Sequence, residues 1–270
     1  MFTILKTEFL KIKRYHIMLI GLIGMFCSPL LQLFSQSVMA EEYKNTHYDV
    51  AALIDATIWG NATIFLPVII TLTGGYLINR EYIDDTLKNI LTVPVLFRKF
   101  MTGKLAAIGL LSIIFGVYSF IVTVFTGIFA RLGGNSILVW SKGLLQMIGL
   151  SVFVYIVVLP IIIVCSRRQG MFMSGSVIAF LTGYCCMFFK EGLLRNIYPF
   201  SAALTMIGYD TASWAGTKEK GSIPLAILSL TILLLISVAL VGIFGQPGEL
   251  HTSKKQKKHK RGSRPAQRRR

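Results

Sequence analysis

Residues 79–104 read NREYIDDTLKNILTVPVLFRKFMTGK and lie between two long apolar segments, 56–78 and 105–130. The two flanking segments contain no Asp, Glu, Lys or Arg, and each reaches the ~20 residues that a helix needs to cross a bilayer. The stretch between them carries five basic and three acidic residues. This alternation decides the fold class, because apolar blocks of this length joined by a short charged connection are typical of membrane-spanning helices.

Working outward from this stretch, the same length criterion selects six apolar segments in the chain. The composition agrees with a membrane protein, since 54% of the residues are hydrophobic and 15% are charged, below the ~25% of soluble domains. We therefore predict an all-α integral membrane protein with six transmembrane helices. The predicted spans are 17–35, 56–78, 105–130, 144–165, 171–189 and 223–244.

The distribution of Lys and Arg predicts that both termini lie in the cytoplasm. With the N-terminus inside, the cytoplasmic segments before residue 246 hold eleven Lys and Arg, and the outer segments hold seven. This excess follows the positive-inside rule. Residues 38–40 resemble a signal-peptidase site, but the apolar run before them is longer than the usual h-region of roughly 7–15 residues, so we expect an uncleaved first span.

The two ends of the chain carry basic segments of different character. Residues 3–14 combine an apolar stripe with a basic face, which predicts an amphipathic interfacial helix on the inner leaflet. This helix anchors the first span, and whether it also flanks a docking surface for a partner stays open. Residues 246–270 hold ten Lys or Arg and one Glu, and they lack the apolar residues needed to fold. We therefore divide the chain into a transmembrane domain at 1–245 and a basic, disordered cytoplasmic tail, whose contacts with anionic lipid or RNA phosphates would be non-specific.

The charged stretch also carries the signals of a short cytoplasmic helix between spans two and three. Acidic and hydroxyl side chains stand where a helix begins, apolar side chains recur at i, i+3 and i+4, and a proline follows the last of them. Such a helix gives a soluble partner something to bind, whereas the plainer alternative is a loop that only satisfies the positive-inside rule. The signals are Asp84, Asp85 and Thr86 at the start, Leu87, Ile90 and Leu91 on the apolar face, and Pro94 after it.

The second span contains polar and helix-bending residues. Asn61 needs a hydrogen-bond partner on another helix, because the hydrocarbon core contains no water to supply one. Pro67 frees a backbone carbonyl and favours a kink. Asn61, Thr63 and Pro67 are therefore candidates for lining a transport pathway, while packing between helices is at least as good an explanation for Asn61.

The fifth span carries small residues at every fourth position, namely Gly175, Ala179 and Gly183. A ridge of this kind lets another helix approach closely. The pattern predicts a helix-packing surface, which could serve a contact within the chain or a dimer interface.

Several kinds of chemistry are absent from the sequence. It contains no GxxxxGK[ST] motif for ATP, no HExxH and no GxSxG, and its four Cys and four His have no metal-ligand spacing. Carriers coupled to protons or sodium usually keep an ionisable group in mid-membrane, and none of the six apolar segments contains one. We predict no catalytic residue, metal or cofactor, and a conduit that is powered by another protein.

The predicted architecture resembles the membrane subunit of type-2 ABC exporters, the ABC-2 permeases, including those of bacitracin and lantibiotic exporters. The resemblance in architecture covers 1–245, and the specific likeness lies in Glu81, 85–88, 91–94, 98–99 and 103–104. It implies a bacterial plasma-membrane permease that forms the pathway for an amphipathic or hydrophobic substrate, such as a peptide antibiotic. It further implies a separate ABC ATPase subunit, a second permease copy or paralogue, and surrounding membrane lipids. The coupling residues implied are Glu81, Asp84, Asp85, Thr86, Leu87, Ile90, Leu91 and Pro94.

Three other functions are alternatives to an exporter. A non-transporting immunity protein that sequesters a peptide at the outer face would not need an ordered inner helix. An intramembrane enzyme acting on lipid would need polar residues clustered at one depth, whereas those of this chain follow one helix. An ion channel would need a repeated polar lining, which the sequence lacks.

Overall fold

A computed structural model describes residues 16–39, 48–83, 97–134, 136–166, 170–189, 192–210 and 221–243. Every element within these ranges is a helix, so the all-helical prediction is confirmed for the described part of the chain. In chain order the elements are α1 (Ile17–Val38), α2 (Val50–Gly60), a π-helical turn (Asn61–Phe65), α3 (Leu66–Ile83), α4 (Phe97–Phe129), α5 (Ile137–Cys165), α6 (Met171–Tyr184), a 3-10 turn (Cys185–Met187), α7 (Gly192–Ile197), α8 (Pro199–Met206) and α9 (Ile223–Ile243).

Within the described ranges, five helices are long and apolar enough to cross a membrane. They are α1, the continuous helix from α2 through the π-helical turn to α3, then α4, α5 and α9. The predicted span at 171–189 corresponds to a shorter apolar helix, Met171–Met187, whose last turn tightens to 3-10 geometry. The six predicted segments therefore correspond to five full-length candidate spans and one shorter helix.

Three helices begin earlier than the apolar segments suggested. The second span begins at Val50 rather than at 56, α4 begins at Phe97 rather than at 105, and α5 begins at Ile137 rather than at 144. The predicted segments were ended at the charged residues Asp55, Lys104 and Lys142, whereas helical hydrogen bonding continues across them. The 33 residues of α4 extend ~50 Å, well beyond the ~30 Å hydrocarbon core.

The second span is the centre of the bundle. In the most apolar 18 residues of this span, 78% of the residues are buried inside the chain, whereas 22% are buried in the matching stretches of α1 and of α9. Its second half, α3, which leads to the charged stretch, packs against α5 and α6, and α4 packs against α1 and α5. Large side chains at these contacts are fully buried, among them Ile58, Leu66, Ile70, Ile108, Phe115, Leu150 and Ile162.

The two short helices α7 and α8 fold back onto the half of the bundle that lies away from the charged stretch. The apolar face of α8 is buried against α5 and α9, with Phe200 and Leu204 at most 2% exposed. After α8, the Tyr209 hydroxyl donates to the Asp55 backbone carbonyl at 2.9 Å, and its ring stacks on Trp59. Burial raises the pKa of the Tyr209 phenol above its usual value, so Tyr209 is a neutral hydrogen-bond donor that fastens this segment to α2.

Candidate functional site

The structure describes the helices on either side of the predicted coupling segment, but not most of the segment itself. Glu81 belongs to the last turn of α3, and the other seven predicted coupling residues, between 84 and 94, lie outside the described residues. The structure does describe the two helices that carry the segment, α3 up to Ile83 and α4 from Phe97 onward. We call the end of α3 and the start of α4 the two stems.

Lys104 ties the two stems together. Its Nζ donates to the backbone carbonyl of Leu77 on α3 at 3.1 Å. The same ammonium lies 5.2 Å from the centroid of the Phe100 ring, one turn earlier on α4. Lys104 is 2% exposed. A buried ammonium is costly unless it is paired or hydrogen-bonded, so this contact fixes where α4 lies against α3.

Asn79 connects the first stem to the turn between α5 and α6. Asn79 is buried, and its Oδ1 accepts a hydrogen bond from the Gly170 amide at 3.4 Å. Gly170 has a left-handed φ of 79°, a conformation that glycine adopts without steric cost, and it immediately precedes α6. Beside this contact, the Tyr76 ring packs edge-on against Phe172 at the start of α6. The end of α3 next to the charged stretch, which we call its inner end, is therefore held to α4 and α6 together.

Lys104 and Asn79 are not among the predicted site residues. Lys104 was expected only as a cytoplasmic positive charge and as part of the likeness at 103–104, and Asn79 had no predicted role. Both residues stand within one residue of a predicted apolar segment, where lipid offers no hydrogen-bond partner. This position is the signal that could have singled them out.

Asn61 lies at a crossing of three helical segments in the middle of the bundle. The Ser28 hydroxyl on α1 donates to Asn61 Oδ1 at 2.7 Å, and Asn61 Nδ2 donates to Ser119 Oγ on α4 at 2.7 Å. Asn61 is 1% exposed. Both ends of its amide are therefore engaged within the bundle, which is the helix-packing arrangement that hydrocarbon favours for a polar side chain.

The other two candidate pathway residues contact the small-residue ridge of α6. A Cβ on Gly183 would lie 2.4 Å from the Thr63 carbonyl oxygen and 3.1 Å from Pro67 Cγ, so only glycine allows this approach. Thr63 is buried, and its hydroxyl donates to the Trp59 carbonyl one turn earlier. The structure thus brings two of the candidate pathway residues into contact with the predicted helix-packing ridge.

The rest of the ridge also packs within the chain. A Cβ on Gly175 would lie 2.9 Å from Cys165 Cβ and 3.5 Å from Thr71 Cγ2, and Ala179 is fully buried. The ridge therefore faces α3, the π-helical turn and the end of α5. Of the two uses that the pattern left open, this geometry is that of a contact inside one chain.

Two cavities lie beside α5, away from Asn61, Thr63 and Pro67. The larger, of about 330 Å³, is lined by Lys142, Leu145, Gln146, Gly149, Phe153, Met206 and Ile207. Gln146 Nε2 donates to the Ile207 carbonyl at 3.2 Å and closes one side of it. The smaller, of about 180 Å³, is lined by Val157, Ile161, Thr182, Tyr198, Pro199 and Phe200. Both are mostly apolar and could accept an apolar group of modest size.

Two similarities to known proteins bear on this arrangement. A family model described as ABC-2 family transporter protein matches residues 4–186, which include the stems and the charged stretch between them. The bacitracin transport permease protein BCRB of Bacillus licheniformis is 28% identical over 125 residues, or 46% of this chain and 55% of the relative. The similarity therefore spans about half the length of that curated relative.

Proposed function

The chain belongs to the ABC-2 family of transporter proteins and is a multi-pass protein of the cell membrane, and we propose that it is the permease subunit of an ATP-driven exporter. The observation that carries this proposal is the family match over residues 4–186, which spans α1 to α6 and the charged stretch. The sequence contains no P-loop motif, so ATP hydrolysis is assigned to a separate ATPase subunit.

Coupling to that ATPase is assigned to the short connection between the two stems. Only residues 84–96 separate the end of α3 from the start of α4. On this proposal the apolar face formed by Leu87, Ile90 and Leu91 enters a groove on the ATPase, with Glu81 and the acidic residues before Leu87 beside it. Because the connection is short and Lys104 joins its stems, a displacement of the connection would move the membrane helices.

An amphipathic or hydrophobic substrate, such as a peptide antibiotic, fits this permease best. The six apolar segments carry no fixed charge, and the two cavities beside α5 are mostly apolar. The relative is named as a bacitracin transport permease, which supports a peptide substrate for this chain. A second permease copy or paralogue would complete the pathway, and α1 and α9 have broad exposed apolar faces that could meet it or lipid.

The proposal is tested by isolating the tagged chain from its native membrane in mild detergent and assaying the eluate for an ATPase subunit and for ATP hydrolysis. We expect the ATPase to co-purify with the unaltered chain and to be lost with Leu87→Asp, because a carboxylate in an apolar groove is left without a partner. Leu138→Asp is the matched control, since Leu138 is 76% exposed at the start of α5, outside the connection, and should keep the ATPase.

The outcomes separate the function from the docking segment. An unaltered chain that elutes alone, without ATP hydrolysis, would contradict the exporter and favour a membrane protein that sequesters its ligand. An ATPase that remains bound to Leu87→Asp would leave the exporter standing and move the docking surface away from residues 84–94.

A further inference from the structure

We propose that Lys104 is a positioning residue for energy coupling, which locks the two stems so that movement of residues 84–96 reaches α3 and α4 as one unit. The inference rests on the proposed function and adds to it a residue outside the predicted docking segment. Its structural basis is the buried contact of Lys104 with the Leu77 carbonyl and the Phe100 ring.

The contact joins the stems at matching depths. Leu77 lies six residues before the end of α3, and Lys104 lies seven residues after the start of α4. At a rise of 1.5 Å per residue the two positions are ~9 Å and ~10 Å from their helix ends. A tie at equal distance from both ends of the connection makes the stems and the connection a closed loop. A force applied to the connection is then shared by both helices.

The tie is additional to what either helix needs for its own stability. The Leu77 carbonyl lies inside α3, where the backbone amide four residues later is positioned to donate to it. Removing the ammonium therefore does not orphan this carbonyl. Lys104→Met keeps a long, unbranched apolar side chain beside the Phe100 ring and removes the ammonium that bonds to the Leu77 carbonyl.

Other hydrogen bonds at the same end of the bundle join different pairs of elements. The Tyr155 hydroxyl on α5 donates to the Leu105 carbonyl at 2.6 Å and so ties α4 to α5. Asn79 ties α3 to the turn before α6. Lys104 acts between the two helices that flank the connection, which is why its removal should affect coupling more than removal of the neighbouring bond.

The test uses the complex of the full chain with its ATPase subunit in lipid nanodiscs. Hydrogen–deuterium exchange of α3 and α4 is measured with and without ATP plus vanadate. In the unaltered complex we expect nucleotide to change exchange in both stems. With Lys104→Met the change in one stem should fall by roughly threefold or more, while ATPase binding and the melting temperature stay near those of the unaltered complex.

Two further variants keep the proposal falsifiable. Tyr155→Phe removes a partly buried hydrogen bond of similar depth between α4 and α5 and should leave the response of both stems intact. Lys104→Arg keeps a cationic donor and should restore much of the response even if Lys104→Met folds poorly.

Three results would overturn the role of Lys104. The first is a nucleotide response in both stems of Lys104→Met as large as in the unaltered complex, and the second is a loss of response in Tyr155→Phe as large as in Lys104→Met. The third is loss of ATPase binding in Lys104→Met. An unaltered chain that binds no ATPase, or whose stems do not respond to nucleotide, would instead count against the proposed function itself. The two failures are therefore distinguishable in one series of measurements.

Discussion

The inner end of the second transmembrane helix and its middle are held to the bundle by different kinds of contact. At the inner end, Lys104 and Asn79 each bond to a backbone group, the Leu77 carbonyl and the Gly170 amide. In the middle, Ser28, Asn61 and Ser119 bond side chain to side chain.

The backbone differs between the two regions as well. The inner end is regular α-helix, whereas the middle is a π-helical turn, Asn61–Phe65, followed directly by Leu66 and Pro67. Pro67 has no amide hydrogen to donate, so the helix must adjust its hydrogen bonding at this point. The Thr63 carbonyl four residues earlier faces Gly183 of α6 at very short range.

The difference separates a position where helices are tied together from a position where one helix departs from regular geometry. Ties to backbone groups fix where a helix lies without depending on a partner's rotamer. A π-helical turn beside a proline is a recognised place for a helix to bend. The comparison therefore predicts that added volume at the middle costs the most stability, and that a bond lost at the inner end is seen mainly as faster local amide exchange.

The largest effect is expected from added volume at the middle. Gly183→Leu should destabilise the protein by about 3 kcal/mol, because the new side chain would collide with the Thr63 backbone, which cannot rotate away. The measurement is the melting temperature in detergent. Gly242→Leu is the matched control, since a Cβ there meets nothing within 4 Å. Equal melting temperatures for the two variants would remove the close approach of α6 to the π-helical turn from the comparison.

A smaller effect is expected from removing the polar crossing at the middle. Asn61→Leu loses two interhelical hydrogen bonds, and bonds of this kind in membranes average ~0.6 kcal/mol, so we expect a loss of about 1 kcal/mol. Ser112→Ala is the control, because the Ser112 hydroxyl donates to the Gly109 carbonyl of its own helix at 2.7 Å and so does not join two helices. If both substitutions change unfolding in detergent equally, Asn61 does not hold the three helices together.

The smallest effect on stability is expected at the inner end. Asn79→Ala removes an acceptor that lies 3.4 Å from the Gly170 amide nitrogen, a long and therefore weak hydrogen bond, so the loss should be about 0.5 kcal/mol. Its clearer signature is faster amide exchange at the start of α6. Asn196→Ala is a useful comparison, because Asn196 Oδ1 accepts a shorter hydrogen bond from the Ser222 amide, at 2.8 Å, and its loss should cost more stability. Unchanged exchange near Gly170 would show that the turn is held by other contacts.

Much of the architecture could be predicted from the sequence. The apolar segments, the all-helical fold and the resemblance to ABC-2 permeases all follow from local patterns, and the family match over residues 4–186 confirms that resemblance. Helix ends were predicted less well, because the apolar segments were ended at the charged residues Asp55, Lys104 and Lys142, whereas the helices continue across them. The predicted coupling residues after Ile83 stay a prediction, since they lie outside the described residues.

The sequence by itself determined that this chain crosses the membrane and which segments do so, because a bilayer imposes its length and polarity on each segment independently. Only the tertiary structure decided which residues meet: Asn61 with serines 33 and 58 residues away, Lys104 with a carbonyl 27 residues earlier, and Gly170 with Asn79 across 91 residues. The small-residue ridge of α6 likewise found its partner inside the chain. Such contacts depend on how whole helices pack. In hydrocarbon, a polar or small residue indicates that another helix must lie close to it, but the sequence does not show which helix that is.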